Sequence, residues 1–371
     1  MIRPSSLPTW TTPLLMVVWA TDLFAQPKIH RELAYSDPKN KFQMVDVFAP
    51  AEGKNHPVVI YIHGGGWHSG DKAEVHNKPK ALTVRGFVLA SINYRLWTPP
   101  WSKSFPGTVT LKHEAQDVAK AIRWVHDHAR DYGGDPAALI VMGHSAGAHL
   151  SALVCTDERY LEAEGLSLAN IKGCVPIDGD SYDLPMHVKA NAGKKVAATD
   201  CERFGAENLQ KELSPVMHVA KGKSIPPFLI LHIVDPDHPE TQAQAERFAQ
   251  VLRAAGVPVK TYGAAGKDHS TLNNDLGLAD DKPTQEMFEF LSRAEVNDSG
   301  LWSRNKDERK SVFTKPLHFV VPIFRGPFDA SGDMTGDVTG EDWRHCAARG
   351  GRWDRRAPRD TLQSRTTSVD A

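Results

Sequence analysis

Val141-Met142-Gly143-His144-Ser145-Ala146-Gly147-Ala148-His149 follows the apolar run Ala138-Leu139-Ile140-Val141-Met142 and precedes a helical pattern from Ala148 to Val154. A serine with glycines two residues before and after it, between a strand and a helix, has the spacing of a sharp strand-to-helix turn that exposes a nucleophile. The turn leaves no room for a Cβ at Gly143 or Gly147, where strand and helix pass closest. Ser145 is then lifted out of the end of the sheet with a helix N-terminus behind it.

Working outward, the apolar strand Pro57-Val58-Val59-Ile60-Tyr61-Ile62-His63 runs into Gly64-Gly65-Gly66-Trp67. Its lack of polar alternation predicts a strand covered on both faces. Similar strands are predicted at Phe87 to Ile92, Ile171 to Ile177, Phe228 to Val234 and Val257 to Tyr262. Phe42 to Phe48 has a period near two and suggests half of an opening hairpin over residues 28 to 50. Helical spacing is read at Lys78 to Arg85, Glu114 to Arg130, Thr241 to Ala255 and Pro283 to Ala294. Strands alternating with helices imply a mostly parallel, doubly wound sheet. Residues 178–220 lack a clear period and are expected to form a small cap or substrate-binding insertion.

The 371-residue chain is long enough for one large core, and a formal net charge of −1 gives no basic excess for nucleic acid. Residues 1–25 read as a signal peptide, with Arg3 ahead of the apolar run Pro13 to Ala20. That run is shorter than the about 20 residues a membrane span needs, so a periplasmic or extracellular protein without stable membrane insertion is expected. The catalytic domain is expected over 26–296. Beyond it, 297–371 reads as a largely irregular tail whose acidic stretch at 329–342 fits no single calcium-loop register. The four cysteines, Cys155, Cys174, Cys201 and Cys346, form no Cys-x-x-Cys pair, and one disulfide of undetermined pairing is allowed. No metal or other cofactor is expected. His126 and His128, two apart on a helix, do not share a face.

A serine hydroxyl needs a base to take its proton and a carboxylate to orient that base. With this kind of turn the partners follow in the order Ser, Asp or Glu, His. His269 lies between the last strand and the last helix and is the expected base; His232 is inside an apolar strand, and His218 and His238 are less well placed. The acid is expected after the strand Phe228 to Val234, where both Asp235 and Asp237 qualify. Asp237 is favoured, with Asp235 closing the strand and Asp268 a third choice. The amides of Gly65, Gly66 and Ala146 are the expected donors to an oxyanion. Trp67, Trp97, Trp101, Asp178 and Tyr182 are candidate substrate contacts. Arg95 and Asp117 are expected to form a buried ion pair beneath the site.

His63-Gly-Gly-Gly-Trp67, Asn93-Tyr-Arg-Leu96, Gly143-His-Ser-Ala-Gly-Ala-His149 and Asp268-His-Ser270 together resemble the α/β-hydrolase superfamily over roughly residues 30 to 295. More narrowly, they look like its hormone-sensitive-lipase-like carboxylesterases and the acetyl-xylan and feruloyl esterases. The resemblance implies an α/β-hydrolase fold and hydrolysis of a small-molecule or polysaccharide-linked ester through an acyl-enzyme. The chain departs from the family at the acid loop, which commonly reads His-Gly-x-x-Asp and here reads His232-Ile-Val-Asp-Pro-Asp237. Two rival readings are a formamidase-like amidase or peptidase with the same triad, and a non-catalytic binding protein on the same scaffold.

Overall fold

Eight strands form one sheet: β1 (Lys28–Ala34), β2 (Met44–Ala49), β3 (His56–Ile62), β4 (Val88–Ile92), β5 (Gly134–His144), β6 (Ile171–Ile177), β7 (Phe228–Val234) and β8 (Val259–Ala265). The computed structural model describes residues 26–36, 40–99 and 109–296. The expected leader at 1–25, Trp101 and the expected irregular tail at 297–371, with its acidic stretch at 329–342, lie outside the described residues.

The strand order is β1-β2-β4-β3-β5-β6-β7-β8. The expected opening hairpin is present: β1 pairs antiparallel with β2, and β2 antiparallel with β4. Every pairing from β4 through β8 is parallel. Two hydrophobic layers explain the unbroken apolar runs. Along β3, Val58, Ile60 and Ile62 face one layer, while Val59 and Tyr61 face the other.

The helices are α1 (Lys78–Val84), α2 (Leu111–His128), α3 (Ala146–Val154), α4 (Glu158–Glu162), α5 (Leu184–Ala190), α6 (Ala197–Phe204), α7 (Glu207–Glu212), α8 (Pro215–His218), α9 (Pro239–Ala254), α10 (His269–Asn274) and α11 (Lys282–Val296). One layer includes helical side chains from α2, α3 and α9, among them Val118, Ile122, Leu150, Leu153 and Phe248, with Leu161, Leu184, Phe204 and Val216 from α4, α5, α6 and α8. The other takes them from α1, α10 and α11, including Leu82, Leu272 and Leu291. Both faces of the sheet are therefore covered, as a parallel sheet requires. Helix α2 starts three residues earlier than its apolar spacing indicates. Thr110 caps it reciprocally with His113, whose Nδ1 accepts from the Thr110 amide at 3.1 Å.

The connection from β6 to β7 contains four short helices, α5 to α8, where the sequence reads as irregular. Two of them are capped by local chemistry: Asp183 accepts from the Met186 amide, and Pro215 opens α8. Among the described residues no helix is long and apolar enough to cross a membrane.

Candidate active site

The turn at Ser145 is built as its glycines require. Ser145 has φ +55°, a left-handed value that is strained for a residue with a side chain. Its amide donates to the Ile177 carbonyl of β6 at 2.9 Å, and its carbonyl accepts from the amides of Ala148 and His149. A Cβ on Gly143 would lie 2.1 Å from the Gly147 carbonyl oxygen, and one on Gly147 would lie 2.2 Å from the Ile62 carbonyl oxygen. Neither contact is sterically allowed, so strand, helix and β3 approach one another through glycine alone.

His269 begins α10, whose start is fixed by a capping box: Asp268 Oδ1 accepts from the Thr271 amide at 2.7 Å, and Thr271 Oγ1 accepts from the Asp268 amide at 2.9 Å. The ring of His269 lies against that of His144, centroids 4.6 Å apart, next to the elbow serine. His144 Nε2 donates to the His269 carbonyl at 3.0 Å. Burial, reinforced by the charge on His269, lowers the pKa of His144 to about 3. His144 is therefore a neutral strut beneath the base.

The carboxylate on His269 is Asp178, not Asp237. Asp178 Oδ2 lies 2.7 Å from His269 Nδ1, and its Oδ1 accepts from the Ile233 amide at 2.9 Å. Asp178 is 1% exposed. Its bond to His269 raises the imidazole pKa above the ordinary value, against the opposing effect of burial. The reason lies in the register. Strands β5 and β6 pair with His144 opposite Ile177, so Ser145 and Asp178 leave adjacent strands at the same level. Asp178 turns over the end of β7 at φ +51°, its amide donating to the Leu231 carbonyl at 2.7 Å. The favoured loop after β7 does something else. Asp235 accepts from the Asp237 amide at 2.9 Å and pairs with His238 at 2.9 Å, in an exposed turn. The available signal was an aspartate ending an apolar strand beside the nucleophile strand, the position Asp178 shares in kind with Asp235.

Gly64, Gly65 and Gly66 form the turn facing this group. A Cβ on Gly64 would lie 3.0 Å from the Ser145 Cβ, so the turn is packed directly on the elbow. Gly65 and Gly66 have φ +114° and +56°. The Gly65 carbonyl is turned inward, accepting from the amides of His68 and Ser69 at 3.2 and 3.0 Å. The amides of Gly65, Gly66 and Ala146 have no acceptor among the described residues. Ala146 is the first residue of α3, where no intrahelical acceptor exists. Trp67, Ser145 and Asp178 are three of the six non-glycine residues with positive φ among the described residues. Backbone strain is thus concentrated at one end of the sheet.

Residues 45–252 match the BD-FAE family model. The chain belongs to the BD-FAE family. It is 26% identical to the probable isoprenylcysteine alpha-carbonyl methylesterase ICMEL1 of Arabidopsis thaliana over 81% of its own length and 63% of that protein. It is 31% identical to esterase LipQ of Mycobacterium tuberculosis over 65% of its own length and 56% of LipQ. The chain thus spans less than two thirds of these curated relatives. Among solved structures, esterase B of Lactobacillus rhamnosis superposes with a TM-score of 0.58 at 20% identity, covering 73% of this chain and 87% of that one. Est2 of Thermogutta terrifontis gives 0.55 at 23%, covering 76% and 96%. These likenesses carry the fold, which is that of the α/β hydrolases.

Around the serine, this BD-FAE chain differs from the sequence expectation in its aromatic residues. Trp67, Trp97 and Tyr182 are packing residues, 5%, 7% and 0% exposed, rather than an open substrate wall. Trp67 Nε1 donates to His149 Nδ1 at 3.3 Å, and its ring meets the edge of Phe204 from α6. The Arg203 guanidinium lies over the rings of Trp67 and Trp97, at 5.1 and 4.8 Å from their centroids, tying the inserted helices to the glycine turn. Tyr182 stacks on Phe248 with centroids 4.9 Å apart. The expected Arg95–Asp117 pair is present and bidentate, both contacts 2.7 Å. His232 is buried with its Nδ1 on the Ile233 carbonyl, and His218 bonds the Glu212 carbonyl.

Proposed function

We propose that this chain is a secreted serine carboxylesterase acting on short-chain acyl or carbohydrate-linked esters. The observation that carries the reading is the 2.7 Å contact between His269 Nδ1 and the buried Asp178, on an imidazole whose ring lies 4.6 Å from that of His144, the residue before the elbow serine. With Nδ1 occupied, Nε2 is the nitrogen left to accept a proton. The Ser145 hydroxyl attacks the ester carbonyl carbon while His269 Nε2 takes its proton. The oxyanion is met by the amides of Gly65, Gly66 and Ala146. Collapse breaks the bond to the alcohol, which leaves with the proton from His269. Water then attacks the acyl-enzyme with His269 again as base, and the acid departs. Asp178 keeps the imidazole in one tautomer and stabilises its charged form.

The family and the named relatives support ester chemistry. LipQ is an esterase by name, and a fumonisin B1 esterase of Sphingopyxis macrogoltabida is 36% identical over 107 residues. A truncated carbohydrate esterase from gut microbiota shares the fold with a TM-score of 0.58. The substrate class proposed here follows these proteins and the leader reading of residues 1–25.

Labelling with a fluorophosphonate probe and a panel of p-nitrophenyl esters, acetylated xylan, methyl ferulate and aryl formamides test the proposal together. Expected are labelling of Ser145 and faster turnover of esters than formamides. Absence of labelling in folded protein, or full turnover by S145A, defeats the hydrolase reading. Preferred cleavage of formamides replaces it with an amidase. Export is tested by the N-terminal sequence of the mature protein, expected to start near Gln26.

A further inference from the structure

Lys78, at the start of α1, is fully buried, and among the described residues no carboxylate pairs with it. An ammonium group in such a place is costly unless its hydrogen bonds are met. It donates to the Asn273 carbonyl and to Asn273 Oδ1, both at 2.8 Å, and lies 4.8 Å from the centre of the Tyr61 ring. Tyr61 donates its hydroxyl to the same Asn273 Oδ1 at 2.8 Å. One residue earlier, Asn77 Nδ2 donates to the Asn274 carbonyl at 2.7 Å.

Asn273 and Asn274 are the last two residues of α10, and His269 is the first. The start of α1 therefore grips the end of the helix that presents the imidazole. The last carbonyls of a helix have no acceptor role inside it, and a lysine is a fitting donor to them. The other end is held by the Asp268 cap and by His144 on the His269 carbonyl. Without Lys78 the C-terminal end of α10 keeps the Asn77 bond to the Asn274 carbonyl, the Tyr61 bond to Asn273 Oδ1 and the Lys267 pair with Asp275, and the Asn273 carbonyl loses its donor. An apolar residue would fill the space of Lys78 but would leave the Asn273 carbonyl and Oδ1 without this donor, so packing alone does not account for an amine there.

We propose that Lys78 is a positioning residue for His269: through Asn273 it holds α10 in the orientation that keeps the imidazole on Asp178 and within reach of Ser145. This rests on the esterase reading above. A misplacement of about 1 Å at a catalytic group lowers rate about a hundredfold, and six helical residues are short enough to carry a shift at one end to the other.

The test uses the full chain and compares wild type, K78M and L291A, the last a buried substitution in α11 that shares the apolar layer beneath α10 but none of the hydrogen bonds at its end. For K78M, kcat on p-nitrophenyl acetate is expected to fall about ten- to hundredfold with KM within about twofold. The His269 Nδ1 proton line in the NMR spectrum, assigned by its loss in H269Q, is expected to shift or vanish in K78M. L291A is expected to lower the melting temperature while keeping both kcat and that line. A K78M protein with kcat within about twofold of wild type, or with no more loss than L291A at equal melting temperature, overturns the proposal. If K78M does not fold, N77A removes a neighbouring bond to the same helix end and is read in the same way. If the wild type itself neither labels at Ser145 nor turns over esters, the esterase reading has failed, and the Nδ1 line then judges Lys78 alone: unchanged in K78M, it overturns the positioning role.

Discussion

His269 and Asp178, separated by 91 residues, meet at 2.7 Å above the ends of β6 and β7. The same carboxylate accepts the Ile233 amide, so it is locked before the imidazole arrives. D178N keeps an oxygen for Ile233 but lets the amide nitrogen face His269, favouring the wrong tautomer. We expect kcat to fall by about 10³- to 10⁴-fold on p-nitrophenyl acetate. D237N, in the exposed turn after β7, should stay within about twofold. Reversed effects would return the acid to the later loop.

The same pair sets a pH dependence. Asp178 raises the pKa of His269 above 6.5, and a general base must be neutral to act. The acid limb of kcat/KM should therefore have its midpoint above 6.5, and D178N should move it to lower pH. Stability follows the linked sign. A raised pKa contributes stability fully below the unfolded value and loses it as pH rises through the folded one. The melting-temperature gap between wild type and D178N should be larger at about pH 5.5 than at about pH 8.5. An acid limb unmoved in D178N would mean that another group titrates.

The strand order of chemistry was readable where local sequence forces geometry. Gly143 and Gly147 announce a turn because no other residue fits there, and the apolar runs of β3 and β5 announce a sheet covered on both faces. The acid was not readable. Choosing between Asp178 and Asp237 requires the β5–β6 register, a long-range quantity that puts Ile177 opposite His144. Helices α5 to α8 and α10 run only four to eight residues, about two turns at most, too short for a 3.6-residue period to emerge. Trp67, Trp97 and Tyr182 look like a pocket wall in sequence because aromatic residues serve cores and sites alike; their burial depends on the inserted helices folding over them.

Gly147 offers a steric prediction. A methyl group there would meet the carbonyl oxygens of Ile62 and His63 at 2.2 and 2.6 Å. Both belong to backbone at the end of β3, immediately before the glycine turn, so no side-chain rotation relieves the clash. G147A should lose about 3 kcal/mol or more in urea unfolding, and the fraction that folds should have reduced kcat. A G147A protein matching wild type in both measurements would show that the end of β3 can move freely, contrary to its packing on the elbow.

Asp117 separates support from chemistry. Its two oxygens, 1% exposed, accept from the Arg95 amide at 3.0 Å, from Arg95 Nε and Nη2 at 2.7 Å each, and from Gln43 Nε2 at 2.7 Å. This fastens the segment after β4 to α2. D117A leaves those donors without an acceptor, and breaking a buried pair from one side costs about 3 kcal/mol. Arg95 is about one-third exposed and can turn partly to water, so the loss should sit at the lower end of the range for buried pairs. Because Asp117 touches no reacting group, kcat per fluorophosphonate-titrated serine should remain within about twofold. Unfolding in urea measures the first quantity and active-site titration the second. A large loss of kcat per titrated site at unchanged stability would move Asp117 from scaffold to mechanism.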